Sequence, residues 1–98
     1  MKVYWSPRAK LSFDDLVLFL EKKWEAKVIS KLFIEIEVTL KVISENPYLF
    51  PVISQKKQIR KCLIRKRTLL FFRINEQTNS IELILFVDGR RNPLKFRF

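Results

Sequence analysis

The sequence predicts an α+β domain in which an N-terminal strand and an antiparallel helical hairpin precede a three-stranded antiparallel meander. Apolar residues recur at helical spacing in the first half of the chain and at a period of two in the second half. The period changes after a proline-bounded loop at residues 45–51. Because an apolar helix stripe needs a sheet to cover it, we expect both helices on one face of the sheet. The length of 98 residues fits one domain over residues 1–98.

A short strand and a helix open the chain. Residues 2–5, KVYW, predict a strand because Val, Tyr and Trp favour pleated backbone. Ser6 and Pro7 predict the start of a helix, since Ser is a preferred N-cap and the fixed φ of Pro suits the first helical position. The apolar face of this helix consists of Phe13, Leu16, Val17, Leu20 and Trp24.

A second helix is predicted over residues 26–44. Its apolar stripe consists of Val28, Leu32, Phe33, Ile36, Leu40 and Ile43. The connection between the two helices is very short, so they form an antiparallel hairpin with facing stripes. The Asn-Pro pair at 46–47 ends the second helix, because the residue before Pro disfavours helical backbone. We expect the apolar residues 48–50 of the following loop to pack against the core.

The second half of the chain predicts strands. The three segments are 58–64, 68–74 and 81–87. A turn at 64–67 connects the first two strands, although it lacks the Gly or Asn of a tight hairpin. Residues 75–80, NEQTNS, are a more typical turn sequence, and the chain leaves the last strand at Gly89.

The net charge of +10 is concentrated in the second half. Residues 1–50 hold eight Lys or Arg and seven Asp or Glu, a net charge of +1; residues 51–98 hold twelve and three, a net charge of +9. A concentrated basic surface favours nucleic acid, an acidic protein or an anionic membrane as a partner. Charge alone does not choose among them.

Composition limits the possible chemistry. The chain has no His and one cysteine, Cys62, so an intrachain disulfide is excluded and zinc and haem sites are not expected. A single Gly is too few for a phosphate-binding or dinucleotide fingerprint, and no cofactor is predicted. There is no signal-like or membrane-spanning apolar run, so we expect a cytoplasmic protein without a membrane partner.

Several short motifs, taken in order, resemble one family. They are WSPRA at 5–9, ISENPYLFP at 43–51, IRKC at 59–62, LFFRI at 70–74 and LFVDGRRNP at 85–93. Together they resemble the RelE/ParE family of toxins from bacterial type II toxin–antitoxin systems, over nearly the whole chain. The family's strand, helix pair and meander agree with the elements predicted above.

The resemblance implies one of two activities and one partner. RelE-like members cut messenger RNA on the ribosome, and ParE-like members poison DNA gyrase. Both are neutralised by an antitoxin whose acidic segment wraps over the toxin. The resemblance therefore implies an acidic antitoxin partner and either gyrase or the ribosome with its mRNA as target, in a homodimer or a toxin–antitoxin hetero-oligomer.

The resemblance also implies candidate catalytic residues for the RNA-cleaving activity. By position, Arg60 matches a basic residue of the family's second strand, and Arg90 matches the Arg after the last strand. At two further positions the chain departs from the family, with Leu69 in place of an Arg and Phe96 in place of a Tyr. A Leu cannot stabilise phosphate charge, and a Phe cannot transfer a proton. These departures, with the GRRNP turn at 89–93, favour a ParE-like, plasmid-stabilisation type of toxin that inhibits gyrase.

The candidate partner or nucleic-acid interface gathers the basic residues of the second half. It consists of Arg60, Lys61, Arg65, Lys66, Arg67, Arg73, Arg90, Arg91 and Lys95. The run 65–67 is either a patch that grips anions or a solvated turn that protects a sheet edge, and Arg90 and Arg91 are either functional or paired with nearby carboxylates. Cys62 is expected to be a buried core residue.

Three hypotheses follow. The favoured one is a ParE-like inhibitor of gyrase. The second is a RelE-like, metal-independent endoribonuclease with an altered active site. The third is a protein of the same fold that has lost toxicity and only binds its antitoxin.

Overall fold

The computed structural model describes residues 1–89 as two helices packed on a five-stranded sheet. The elements are β1 (Lys2–Trp5), α1 (Pro7–Glu21), α2 (Ala26–Glu45), a 3-10 turn (Pro47–Leu49), β2 (Val52–Ser54), β3 (Ile59–Ile64), β4 (Thr68–Asn75) and β5 (Ser80–Asp88). The predicted α+β class and the order of strand, helix pair and meander are confirmed.

Both helices begin where their local sequences predict, but α1 ends at Glu21, so Trp24, which was predicted on its apolar face, lies in the connection to α2. Ser6 caps α1, since its hydroxyl accepts a hydrogen bond from the Ala9 N–H at 3.0 Å, and Pro7 occupies the first turn. The second helix runs one residue beyond its predicted end and stops at Asn46, directly before Pro47.

The sheet has the strand order β1-β5-β4-β3-β2. The meander β3-β4-β5 is antiparallel. The first strand of the described chain, β1, pairs in parallel with the last one, β5. The short edge strand β2, which pairs antiparallel with β3, was not predicted. It is only three residues long and has an irregular register. Three residues are too few to show an alternation of apolar and polar side chains.

The loop after α2 differs from the prediction. Tyr48 and Leu49 are exposed, and only Phe50 packs against the core, where its ring meets that of Phe72 edge-on at 5.7 Å. The 3-10 turn buries Pro47 instead of the two residues that follow it. The prediction of an apolar loop buried as a whole was therefore wrong for two of its three members.

Both faces of the sheet bury apolar residues. The main core lies between the helices and the sheet, where Leu16 of α1 and Ile36 of α2 pack with strand residues such as Phe72. A second cluster lies on the helix-free face and consists of Ile59, Leu69, Phe71, Leu85 and Val87. Phe71 and Phe72 are both buried, so neither offers a ring face on which a base could stack.

A β-bulge in β5 fits α1 onto the sheet. The register between β4 and β5 shifts at Phe71 and Phe72, which leaves Ile84 as the extra residue of β5. The Phe86 N–H next to the bulge donates to the Ser12 hydroxyl at 2.9 Å, and that hydroxyl donates to the Ala9 carbonyl at 2.9 Å. Ser12 thus provides the partner for a strand N–H next to the irregular part of the ladder.

The turn between β3 and β4 has an unusual backbone for its sequence. Arg65 and Lys66 have φ values of 54° and 58°, as the central residues of a type I′ turn require. The Arg67 N–H closes the turn on the Ile64 carbonyl at 3.1 Å. Turns of this kind favour Asn and Gly, because a larger side chain in left-handed backbone costs about 1–2 kcal/mol per residue.

The chain's single glycine lies against this turn. The Gly89 N–H donates to the Arg67 carbonyl at 2.5 Å. A Cβ at position 89 would lie 2.8 Å from that same carbonyl oxygen, which is too close for any larger residue. Within residues 1–89, neither helix is long and apolar enough to cross a membrane.

Replacing Ser12 by Ala tests the link between α1 and the bulge. We expect Ser12→Ala to lower the free energy of unfolding by about 1–2 kcal/mol, because the Phe86 N–H is left without its partner. Urea unfolding measures the change. Ser30→Ala, at an exposed position of α2, is the matched control and is expected to cause little change; equal effects of the two substitutions would contradict the role given to Ser12.

Replacing Lys66 by Gly tests the turn. We expect Lys66→Gly to raise the free energy of unfolding by about 1 kcal/mol, because Gly adopts positive φ without strain. Lys56→Gly removes the same charge from a residue without positive φ and is expected to give no gain. The denaturation midpoints of the two variants, measured side by side, test this explanation. An increase in stability in both variants would point to the lost charge, and not to the backbone of the turn, as the cause.

Cys62 predicts a pH dependence of stability. The thiol is buried in the main core, and desolvation raises its pKa from about 9 to about 11. The unfolded thiol ionises above pH 9 while the folded one stays neutral, so stability is complete below pH 9 and falls as the pH rises toward 11. The difference between the pH profiles of wild-type protein and Cys62→Val isolates this contribution from lysine and tyrosine titration; superimposable profiles would contradict it.

Candidate functional site: the basic surfaces and the helical groove

The alternation of β3 sends neighbouring cations to opposite faces of the sheet. Arg60 pairs with Phe72 of β4, whose side chain belongs to the main core on the helix side. Lys61 pairs with Phe71, which belongs to the cluster on the helix-free face. The two candidate interface residues at 60 and 61 therefore do not form one surface.

Arg60 is engaged in holding the loop after α2. Its Nη1 donates to the Phe50 carbonyl at 2.6 Å, and its guanidinium carbon lies 5.2 Å from the centre of the Tyr48 ring. The Tyr48 hydroxyl in turn donates to Glu76 Oε1 at 2.9 Å, and this hydrogen bond to a carboxylate raises the pKa of Tyr48. The partly buried Arg60 thus has a structural role, and the neighbouring acid of Glu76 disfavours a phosphate there.

Arg73 lies on the helix-free face and forms an ion pair with Glu82. The distance between Arg73 Nη2 and Glu82 Oε1 is 2.6 Å, and both side chains are about half exposed. Beside the pair is a shallow cavity of about 420 Å³. Its lining residues are Ser6, Arg8, Lys57, Ile59, Arg73, Glu82 and Ile84.

Two of the cations at this cavity were not among the predicted interface residues. Arg8 comes from the first turn of α1 and Lys57 from the turn before β3, so only the folded chain places them next to Arg73. No spacing pattern in the sequence links Arg8 to the strands. The parallel pairing of β1 with β5, which brings the start of α1 to β5, is the feature that assembles this group.

The three cations at 65–67, at the tip of the β3–β4 hairpin, have different environments. Arg65 and Lys66 are exposed in the turn. Arg67 instead lies over the Trp24 ring, with its guanidinium carbon 4.1 Å from the ring centre. This cation–π contact ties the hairpin to the connection between the two helices, so the run is partly a solvated turn and partly a structural contact.

The remaining predicted residues lie outside the described part of the chain. These are Arg90, Arg91, Lys95 and Phe96. Their assignment as interface or family positions stays a prediction. Leu69, the other position that departs from the family, is buried on the helix-free face.

An aromatic groove lies between the two helices near β1. Phe13 of α1 meets Trp5 at 5.3 Å and Phe33 of α2 at 5.8 Å between ring centres, and Trp5 stacks on Phe86 at 5.1 Å. Trp5 and Phe33 remain more than one-third exposed. The groove has a volume of about 460 Å³ and is lined by Trp5, Lys10, Phe13, Phe33, Ile36, Glu37 and Leu40. Such a groove suits an apolar helix or strand of a partner.

Residues 1–89 contain no cluster of three or more His, Cys, Asp or Glu side chains suited to hold a metal ion. What the described residues offer chemically is therefore positive charge and apolar surface. Groups of cations lie at the cavity beside Arg73 and at the hairpin tip, where Arg65 and Lys66 are exposed. The helices expose apolar side chains such as Leu18 and Ile34, and the strands and loops expose others, such as Leu49 and Leu63.

The sequence matches no protein-family model and no curated protein. Its structure, however, is similar to solved structures. A chain of the intact Escherichia coli RelBE toxin–antitoxin complex is 14% identical, with a TM-score of 0.58 over 92% of this chain and 98% of that one. A metal-bound toxin from Helicobacter pylori is 15% identical, with a TM-score of 0.57 over 90% and 93% of the two chains.

A third similar structure, the conserved hypothetical protein HP0894 from Helicobacter pylori, is 17% identical, with a TM-score of 0.54 over 90% and 93% of the two chains. Identities this low establish shared fold and not shared activity. The match extends over nearly the full length of both chains in all three cases. The chain therefore has the fold of the RelE-type toxins.

Proposed function

We propose that the chain is the toxin of a type II toxin–antitoxin pair and that it acts in the cytoplasm by contact with DNA gyrase. The toxin part of the proposal is supported by the RelE-type fold together with the basic character of the chain. The gyrase part is supported by the resemblance of the sequence GRRNP at 89–93 to ParE-like toxins and by the contacts that Arg60 makes within the chain. The contacts of Arg60 are the single observation on which the choice of gyrase over the ribosome rests.

Arg60 is poorly placed to cleave RNA. A nuclease without metal or His needs cations that are free to neutralise a phosphate as charge develops on it. One Arg60 nitrogen is already committed to the Phe50 carbonyl, and the guanidinium is packed on Tyr48. At the position where the family has a second cation, the buried Leu69 supplies none. An inhibitor that acts by protein contact requires neither group.

The antitoxin is proposed to bind both the apolar groove and the basic surface. An amphipathic helix or strand fits the groove at Trp5, Phe13 and Phe33, whose aromatic rings are partly exposed. An acidic segment that continues from it complements the cations at Arg8 and Arg73. The combination explains why a chain with a net charge of +10 also exposes apolar side chains.

The cavity at Arg73 favours a second candidate function, ribosome-dependent cleavage of mRNA. Arg8, Lys57 and Arg73 line one open space on the helix-free face together with Glu82, which pairs with Arg73. The three cations exceed the one carboxylate, so the space keeps a positive charge that can hold a phosphate backbone. In this alternative the cavity, not Arg60, would bind the RNA.

A short expression pulse in bacteria without antitoxin tests the proposal. We expect thymidine incorporation to stop before methionine incorporation, because gyrase inhibition blocks DNA synthesis first. Purified protein is expected to inhibit supercoiling by gyrase and to leave ribosome-bound mRNA intact.

The opposite order identifies the alternatives. Early loss of methionine incorporation with mRNA cuts, abolished by Arg73→Gln but not by the exposed control Lys22→Gln, would replace gyrase by the ribosome as target. Normal incorporation of both labels would leave only the antitoxin-binding role.

A further inference from the structure

The outer face of α2 carries an apolar stripe that no part of the described chain covers. Ile34, Val38 and Val42 follow one another at intervals of four residues and therefore lie on one side of the helix. They are 61%, 56% and 39% exposed. The buried residues of α2, among them Ile29 and Ile36, lie on the other side against the sheet. A helix that is apolar on a second face is typical of one that packs against a further partner.

The charges beside the stripe are arranged symmetrically about Val38. Lys31 lies seven residues before Val38 and Glu45 seven after it. Glu35 lies three residues before Val38 and Lys41 three after it. Each pair of equidistant positions thus combines one cation with one anion.

The apolar positions follow the same symmetry. Ile34 lies four residues before Val38 and Val42 four after it. Rotation by 180° about an axis at Val38 therefore places apolar residues beside apolar residues and places each of these four charges at the height of an opposite charge. A surface that is complementary to itself under such a rotation has the property of a two-fold symmetric interface.

We propose that the outer face of α2 binds a second copy of this chain, with the two α2 helices antiparallel. Val38 meets Val38 of the second copy at the two-fold axis. Ile34 of each copy packs beside Val42 of the other. Lys31 of each copy pairs with Glu45 of the other, so an ion pair lies at each end of the apolar contact between the two helices.

The spacing fits a helix pair. Residues 31, 38 and 45 are separated by seven, the repeat of a coiled-coil seam. At 1.5 Å per residue, Lys31 and Glu45 are about 21 Å apart along α2, so the two ion pairs do not interfere with each other. Within residues 1–89, none of Lys31, Glu35, Lys41 and Glu45 forms a salt bridge. Their charges are available to a second copy.

The proposed interface leaves the aromatic groove open. The groove lies on the α1 side of α2, at Phe33 and Leu40, and the stripe lies on the outer side at Val38. A dimer can thus bind a partner in each groove. The proposal does not depend on the chain being a toxin.

The expected dimer is weak. Each copy contributes three apolar side chains, and the dimer gains two Lys31–Glu45 ion pairs, which places the contact at the small end of specific interfaces. We expect a dissociation constant of roughly micromolar size. Sedimentation equilibrium of the purified chain, over a wide concentration range, measures it. A chain that remains monomeric at the highest concentrations would overturn the proposal.

Val38→Lys tests the position of the axis, because it brings two like charges together in each dimer. The variant is expected to be a folded monomer by circular dichroism and sedimentation. Leu18→Lys makes a similar change at an exposed apolar position of α1 and is expected to leave the dimer intact. A dimer that persists in Val38→Lys would place the interface elsewhere and overturn the proposal.

Charge exchange tests the antiparallel arrangement. Lys31→Glu and Glu45→Lys each create two like-charged pairs per dimer, so each is expected to weaken self-association about tenfold. In an equimolar mixture of the two variants, both pairs of the mixed dimer again join opposite charges. The mixture is expected to dimerise as tightly as the wild type, and a mixture no tighter than the separate variants would rule out the proposed register.

Discussion

The contact between α1 and β5 organises the rest of the molecule. β5 lies between β1 and β4, and α1 crosses it where the bulge at Ile84 interrupts the regular ladder. Ser12 bridges the helix and the strand at that point through the Phe86 N–H. Because β1 runs directly into α1 and pairs in parallel with β5, the contact between α1 and β5 also sets the position of β1 in the sheet. The aromatic groove and the cation cluster at Arg8 both depend on that position.

The sheet then divides the chain's positive charge among separate environments. Alternation in β3 gives Arg60 to the helix side, where it supports a loop, and gives Lys61 to the helix-free side. The hairpin tip uses Arg67 as a contact to Trp24 and leaves Arg65 and Lys66 exposed. A chain with a high net charge therefore does not have one uniform basic surface. Part of the charge stabilises the fold, and part remains for partners.

The helices and the meander could be predicted because each has many residues that repeat one pattern. Ser6 and Pro7 set the first helix, and the change of period after Pro51 set the strands. The sequence could not show which side of the sheet Arg60 and Lys61 lie on. Both faces of the sheet bury apolar residues, so these two cations have similar apolar neighbours in β3. The grouping of Arg8 with Arg73 depends on a parallel strand pair between the two ends of the described chain, which no local pattern reveals.

The turn at Arg65 and Lys66 could not be predicted for a different reason. Its sequence contradicts its backbone, since neither residue favours positive φ. The strands on both sides impose the turn, because their register from Ile64 to Arg73 is fixed by side chains on two buried faces. Tertiary packing overrides the local preference at this turn.

The two tryptophans of the described structure occupy two different surfaces. Trp5 forms the wall of the helical groove, stacked on Phe86 and still partly exposed. Trp24 lies under Arg67 with its indole N–H buried and without a hydrogen-bond partner among residues 1–89. The chain has no other tryptophan, so its natural fluorescence contains two separable signals, one from a solvent-facing groove and one from a shielded ring beneath a cation. Emission quenched by iodide reports on the first, and the remaining emission reports on the second, which gives an optical view of each surface without any label.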